Sequence, residues 1–101
     1  MSDDSSGVRW QRSPFVAFVD DGERIVLIDL KEPISARPRL LSGSAALIWR
    51  AINGARSTRQ IAALIQATLG NSPGTSTTDI HAFVEHLHHN KWAVPVQPAT
   101  N

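Results

Sequence analysis

Between Ser44 and Lys91 apolar residues recur at helical spacing in three successive stretches, parted by glycine and turn residues, which predicts three short helices. The first, over 44–53, gathers Leu47, Ile48 and Ile52 with Ala45 and Trp49 beside them, and Gly54 can close it in the left-handed conformation. The second opens on Ser57-Thr58-Arg59-Gln60, the S-x-x-Q form of a capping box. Its stripe is Ile61, Leu64, Ile65 and Leu69, and Gly70 ends it. Residues 71–77 (NSPGTST) are turn chemistry. Thr77 or Thr78 is expected to cap the third helix, with Asp79 in the first turn where the helix dipole favours an acid. Ile80, Phe83, Val84 and Leu87 then form its i, i+3, i+4, i+7 face. Ser42, Ser44 and Ser57 stand at helix starts, where capping accounts for them.

The front of the chain has a different grain. Phe15 to Val19 (FVAFV) and Arg24 to Leu30 (RIVLIDL) are apolar and β-branched, and Asp20-Asp21-Gly22-Glu23 between them supplies turn residues, so the two runs read as a hairpin. Pro33 and Pro38 exclude a central-strand position, which makes 31–38 a loop. Arg39 to Ser42 is a brief third strand at a sheet edge. Residues 1–13 are polar apart from Val8 and Trp10 and read as a flexible N-terminal arm; 95–101 read as a flexible tail, and Trp92 to Val96 can add a short closing extension. The expectation is one domain over 14–94, an α+β, winged-helix-like arrangement in which a three-stranded antiparallel sheet is followed by three helices.

Composition narrows the setting. The chain has no cysteine, so disulfides and thiolate metal sites are out of reach. The N-terminus (MSDDSSG) lacks the basic and apolar segments of a secretory signal, and no apolar run approaches the ~20 residues of a membrane span, so the expected setting is the cytoplasm with no membrane partner. A formal charge of +1 carries no electrostatic mandate for nucleic acid.

Catalytic candidates do not assemble. Asp20, Asp21 and Glu23 are an acidic cluster, yet turn formation explains them. His81, Glu85 and His88 fall on one side of the third helix, opposite its apolar stripe; a surface zinc site there is weighed against an ordinary solvated face, and the solvated face is favoured because no other element offers a ligand. No serine sits in a nucleophile elbow and no glycines form a phosphate loop. The reading is a protein without catalysis, cofactor or metal.

Two kinds of partner fit a winged-helix outline. A DNA-binding regulator is the alternative, but the third helix (TDIHAFVEHLHHNK) has no Arg, a single Lys at its end, and two acids that would meet phosphates. An extended peptide fits better, because a short edge strand beside an apolar helix is a template for strand addition. Arg39, Leu40 and Leu41 can pair, although Pro38 removes one donor. Ile80, Phe83, Val84 and Leu87 can line the other wall, with two or three of them facing the core instead. Arg37 and Arg39 at the rim favour acidic positions in the ligand.

The same residues resemble the PqqD-like family. Leu41-Ser42-Gly43-Ser44-Ala45-Ala46-Leu47-Ile48-Trp49, then Ile52-Asn53-Gly54, then Arg56-Ser57-Thr58-Arg59-Gln60-Ile61 follow the pattern L-N-x-T-A-x-x-I-W/L, a D-G turn and a T-x-x-E-I helix start. Val26-Leu27-Ile28-Asp29 resembles its second strand, and Asp79, Ile80, Phe83-Val84, Leu87 and Asn90-Lys91-Trp92 resemble its D-V-x-x-F-L-x-x-L…G-W/L ending. Ser42 stands where Asn is usual, and the 31–38 loop is longer and richer in proline than the common tight turn. The resemblance, over roughly residues 15–94, implies a stand-alone RiPP recognition element like those of lasso-peptide clusters. Such a domain captures the leader of a ribosomally made precursor peptide as an added strand and presents it to a modifying enzyme, which can be a radical enzyme, a leader protease or a cyclase. The groove it implies falls on Arg37, Pro38, Arg39, Leu40 and Leu41 and on Ile80, Phe83, Val84 and Leu87.

Overall fold

A computed structural model describes residues 8–31, 37–70, 72 and 74–96. Most of the 31–38 loop, Asn71 and Pro73 of the turn, residues 1–7 of the arm and 97–101 of the tail lie outside the described residues. The elements in chain order are β1 (Arg9–Arg12), β2 (Val16–Asp20), β3 (Ile25–Asp29), β4 (Arg39–Leu41), α1 (Ser44–Ala51), β5 (Arg56–Ser57), α2 (Thr58–Leu69), α3 (Thr77–His89) and β6 (Ala93–Pro95). The strands form two antiparallel three-stranded sheets, β2-β3-β4 and β5-β1-β6.

The first sheet is the expected hairpin with its edge strand. Val16 to Asp20 pair with Asp29 to Ile25 in register, and Ile25, Val26 and Leu27 face Leu41, Leu40 and Arg39. The turn closes as its residues dictate: Asp20 accepts from Gly22 N at 2.9 Å, and Asp21 accepts from Glu23 N at 2.9 Å and Arg24 N at 2.7 Å. Gly22 takes φ 96°, a left-handed value that suits glycine.

The second sheet departs from the sequence expectation. Arg9 to Arg12, expected in a flexible arm, are a central strand between β5 and β6. Trp10 is 6% exposed, belongs to the core, and donates from Nε1 to the Thr58 hydroxyl at 2.9 Å. Arg12 sends its guanidinium to the last carbonyls of α1, those of Trp49 (3.3 and 3.2 Å), which also accepts from Ile52 N, and Arg50 (3.2 Å), supplementing the few donors available at a helix end. The expected closing extension is β6, which pairs Ala93 to Pro95 with β1.

The helix ends show which local rules operate. Ser57 and Gln60 form the full capping box, Gln60 N donating to Ser57 Oγ at 3.3 Å and Ser57 N to Gln60 Oε1 at 2.9 Å. The cap of α3 is Ser76, which accepts from Asp79 N at 3.0 Å, one residue ahead of the expected threonines. Gly43, at φ 60° and ψ −134°, caps α1 without a side chain, so neither Ser42 nor Ser44 caps it. That helix ends at Ala51, and Gly54 donates instead to Trp10 O at 2.7 Å. The core that holds these elements together centres on Trp49, Ile25, Leu27, Ile48, Ile52, Ile61, Ile65, Ile80, Val84 and Leu87, all essentially inaccessible.

Candidate functional site

Two elements frame the site: β4, at the edge of its sheet, and α3 with the turn that follows it. Side chains alternate along β4, so Leu41, beside Ile25, is buried, Arg39, beside Leu27, points to the same side, and Leu40 points away and is 59% exposed. An edge strand offers half its backbone groups to an incoming strand.

The opposite wall is set by the C-terminus of α3. Trp92 N donates to Leu87 O at 2.9 Å and Lys91 N to His88 O at 2.9 Å, the paired bonds of a Schellman ending. Lys91 takes φ 63°, and is the one described non-glycine residue with positive φ. This reversal folds Trp92 back over the helix, where it meets the His86 ring edge-on at 6.3 Å. His86 lies 6.3 Å from the Phe83 ring. The Arg39 guanidinium reaches across from β4 to lie 5.3 Å over Trp92, a cation on an aromatic face. Trp92 Nε1 also donates to Asp29 Oδ2 at 3.4 Å. A row of rings, Phe83, His86 and Trp92, therefore runs along α3 and is tied to β4 through Arg39.

This geometry divides the sequence-derived site residues. Arg37, Pro38, Arg39 and Leu40 are exposed on or beside the edge strand, and Phe83 is half-buried on α3. Ile80, Val84 and Leu87 are fully buried and Leu41 is 8% exposed, so these four belong to the core and are not accessible from the surface. An i, i+3, i+4, i+7 stripe marks the face of a helix that points inward, and only its border residue stays accessible. His86 and Trp92 were missed. The signal for Trp92 was the lysine and tryptophan just past the helix end.

The remaining candidates take structural roles. The acids of the hairpin turn are engaged: Asp20 accepts two 2.8 Å bonds from Arg50, which with the Gly22 N–H hold its carboxyl at about 2, below the usual value. Asp21 is lowered by the backbone N–H groups of Arg24 and Glu23. Among the described residues no three His, Asp or Glu side chains gather as a metal group, and the His88 ring packs edge-on against Trp10 at 5.0 Å. No helix among them is long and apolar enough to cross a membrane.

The family model for coenzyme PQQ synthesis protein D (PqqD) matches residues 26–93, a span that includes β4, α3 and the Trp92 turn. The chain belongs to the PqqD family. Its fold is similar to that of TbiB1, solved in complex with the TbiA(beta) leader peptide: TM-score 0.67, 18% identity, with 89% of this chain and 99% of that chain covered. It is also similar to part of the heterocyclase TruD, with TM-score 0.61 and 17% identity over 93% of this chain and 12% of that one. This PqqD-family chain thus spans about an eighth of the heterocyclase. No curated protein matches the sequence significantly. At these identities the two likenesses establish fold, and the PqqD-type α+β architecture is common to all three chains.

Proposed function

We propose that this PqqD-family protein is a non-catalytic cytoplasmic binding domain that captures the leader of a ribosomally made precursor peptide and presents it to a modifying enzyme or protease. The observation that carries this reading is the open β4 edge, whose Arg39 reaches over Trp92 at the end of the Phe83–His86–Trp92 row. A leader entering as an extended strand gains backbone bonds from β4, while alternate side chains settle against the rings or on the outer face beside Leu40. Support comes from the family and from TbiB1, a similar fold whose structure holds a leader peptide. The likeness to TruD, a heterocyclase, supports a modifying enzyme as the second partner.

Affinity follows from modest terms. Two apolar anchors at about 1.5–3 kcal/mol each, with a few strand bonds, must offset the ordering of a flexible leader. That balance predicts a Kd between roughly tens of nM and tens of μM. The test is fluorescence polarisation with a labelled leader from the neighbouring precursor reading frame and duplex DNA as the control. Saturable leader binding supports the reading. Tight, salt-sensitive DNA binding without leader binding replaces it with a winged-helix regulator.

A further inference from the structure

Beyond the Arg39 end of the groove lies a pocket of about 290 Å³. It opens where the residues between β1 and β2, the end of β3 and the C-terminus of α3 meet, and Ser13, Phe15, Asp29, Lys31, His89 and Lys91 are among its walls. Strand register gives its distance from the groove. Arg39 pairs with Leu27, and Asp29 lies two residues farther along β3, about 7 Å on. Trp92 is the partition: Arg39 lies over its ring, and its Nε1 donates to Asp29 in the pocket wall.

Size and charge narrow what the pocket takes. Its volume is at the lower limit of small-ligand sites, so it suits one side chain rather than a cofactor. Lys31 reaches it from the end of β3 and Lys91 from the turn after α3, and neither forms a salt bridge among the described residues. Asp29 is the one acid in the wall, and both its oxygens are engaged: Oδ1 accepts from Lys31 N at 2.9 Å and Oδ2 from Trp92 Nε1. Two lysines against one aspartate leave a charge of +1, which a single carboxylate neutralises and a doubly charged phosphate exceeds. Ser13 supplies a buried donor. It is 6% exposed, its Oγ accepts from Phe15 N at 3.0 Å, and its hydroxyl proton meets no acceptor among the described residues. A buried donor without an acceptor is costly, and a carboxylate satisfies it. The Phe15 ring, 5.2 Å from Lys31 Nζ, offers an apolar wall to the methylenes of the same incoming side chain.

We propose that this pocket binds the carboxylate of an aspartate or glutamate of the precursor peptide, next to the segment that pairs with β4. The inference rests on the leader-capture reading and names a chemistry that reading leaves open. Lys31 and Lys91 hold the carboxylate from two different elements and the Ser13 hydroxyl donates to it, bonds that the charge strengthens. Whichever way the leader runs, the end of its strand beside Arg39 emerges about two residues from the pocket, which fixes where in the leader the acid must stand.

The experiment uses the full chain, with polarisation reading its affinity for the labelled leader of the neighbouring precursor frame. Each aspartate and glutamate of that leader is exchanged singly for asparagine or glutamine, and the chain carries Lys31→Gln/Lys91→Gln or Ser13→Ala. One amide exchange should weaken binding about tenfold, and the lysine pair should weaken the unaltered leader by a similar factor. The two changes together should cost little more than either alone, because both remove one contact. Both lysines are exposed, so the double variant should melt as wild type does; if it does not fold, Ser13→Ala, expected to weaken binding about threefold, gives the same comparison. A folded lysine variant that binds the leader as wild type does overturns the proposal, and so does a leader whose amide exchanges are all neutral. Losses that multiply also overturn it, since they place the acid on Arg39 or another cation. Failure of the wild type to bind any leader overturns leader capture and this inference with it, a result distinct from a variant that alone binds unchanged.

Discussion

Leu40→Asp and Leu41→Asp are neighbours in one strand and should give opposite phenotypes. Leu40 is 59% exposed, so the folded monomer loses less than half of the ~1.5–3 kcal/mol that full burial of a leucine supplies, or about 1 kcal/mol. Against a stability of about 5–15 kcal/mol that is tolerable, and it lowers the melting temperature by roughly 4–8 °C. If the leader adds as a strand at β4, as proposed, it covers the rest of the side chain, and an aspartate there forfeits the remaining burial and strips water from a carboxylate. Together these cost about 2–3 kcal/mol, a Kd roughly 30- to 150-fold weaker. Leu41 is 8% exposed beside Ile25, so its aspartate carries an unpaired charge into the core. That costs upward of about 4 kcal/mol, several times the Leu40 penalty and most of the stability of a domain at the low end of that range. Thermal melts by circular dichroism and leader titration by polarisation separate the two. A folded Leu40→Asp protein with wild-type leader affinity would refute the argument and move the groove away from β4.

Other outcomes follow from single residues. Lys91→Gly relieves the left-handed backbone at the Schellman ending and should stabilise the domain by about 1 kcal/mol, read as a higher denaturation midpoint. Ser57→Ala removes half of the α2 capping box and should cost about 1 kcal/mol in the same assay. Trp10→Phe keeps the ring in the core but leaves the buried Thr58 hydroxyl without its 2.9 Å partner, a loss of about 1–2 kcal/mol; a neutral result would mean that β1 contributes little. Asp20 is lowered in the folded state from 3.8 to about 2, chiefly by Arg50. Its stabilising contribution is therefore complete above about pH 4 and disappears as pH falls towards 2. Denaturant melts at pH 5 and 2.5 should show a smaller acid loss in Arg50→Ala than in wild type.

Local chemistry was legible in the sequence, and long-range pairing was not. The α2 capping box and the acidic hairpin turn are contained within four residues, and both form as expected. The third-helix stripe identified Ile80, Val84 and Leu87 correctly as one face, but periodicity reports that a face is buried and not whether a ligand or the core buries it. Strand β1, RWQR, has one apolar residue and no β-branched one. Its conformation comes from lying between β5 and β6, some fifty and eighty residues on, where context overrides propensity. His86 and Trp92 escaped for a related reason. The position of Trp92 depends on a turn at Lys91 that a non-glycine residue rarely adopts, and His86 joins the row only because Trp92 folds back onto it.

The pairing of β1 with β6 also bears on engineering. Val96 N donates to Arg9 O at 2.8 Å, so the beginning and end of the folded unit stand side by side, about one strand spacing apart. A short linker could join them and new termini be cut in the exposed Asp21–Arg24 turn, giving a circular permutant with every ladder retained. The same proximity suits the unit to insertion within a host protein, since two linkers leaving one spot transmit little strain in either direction.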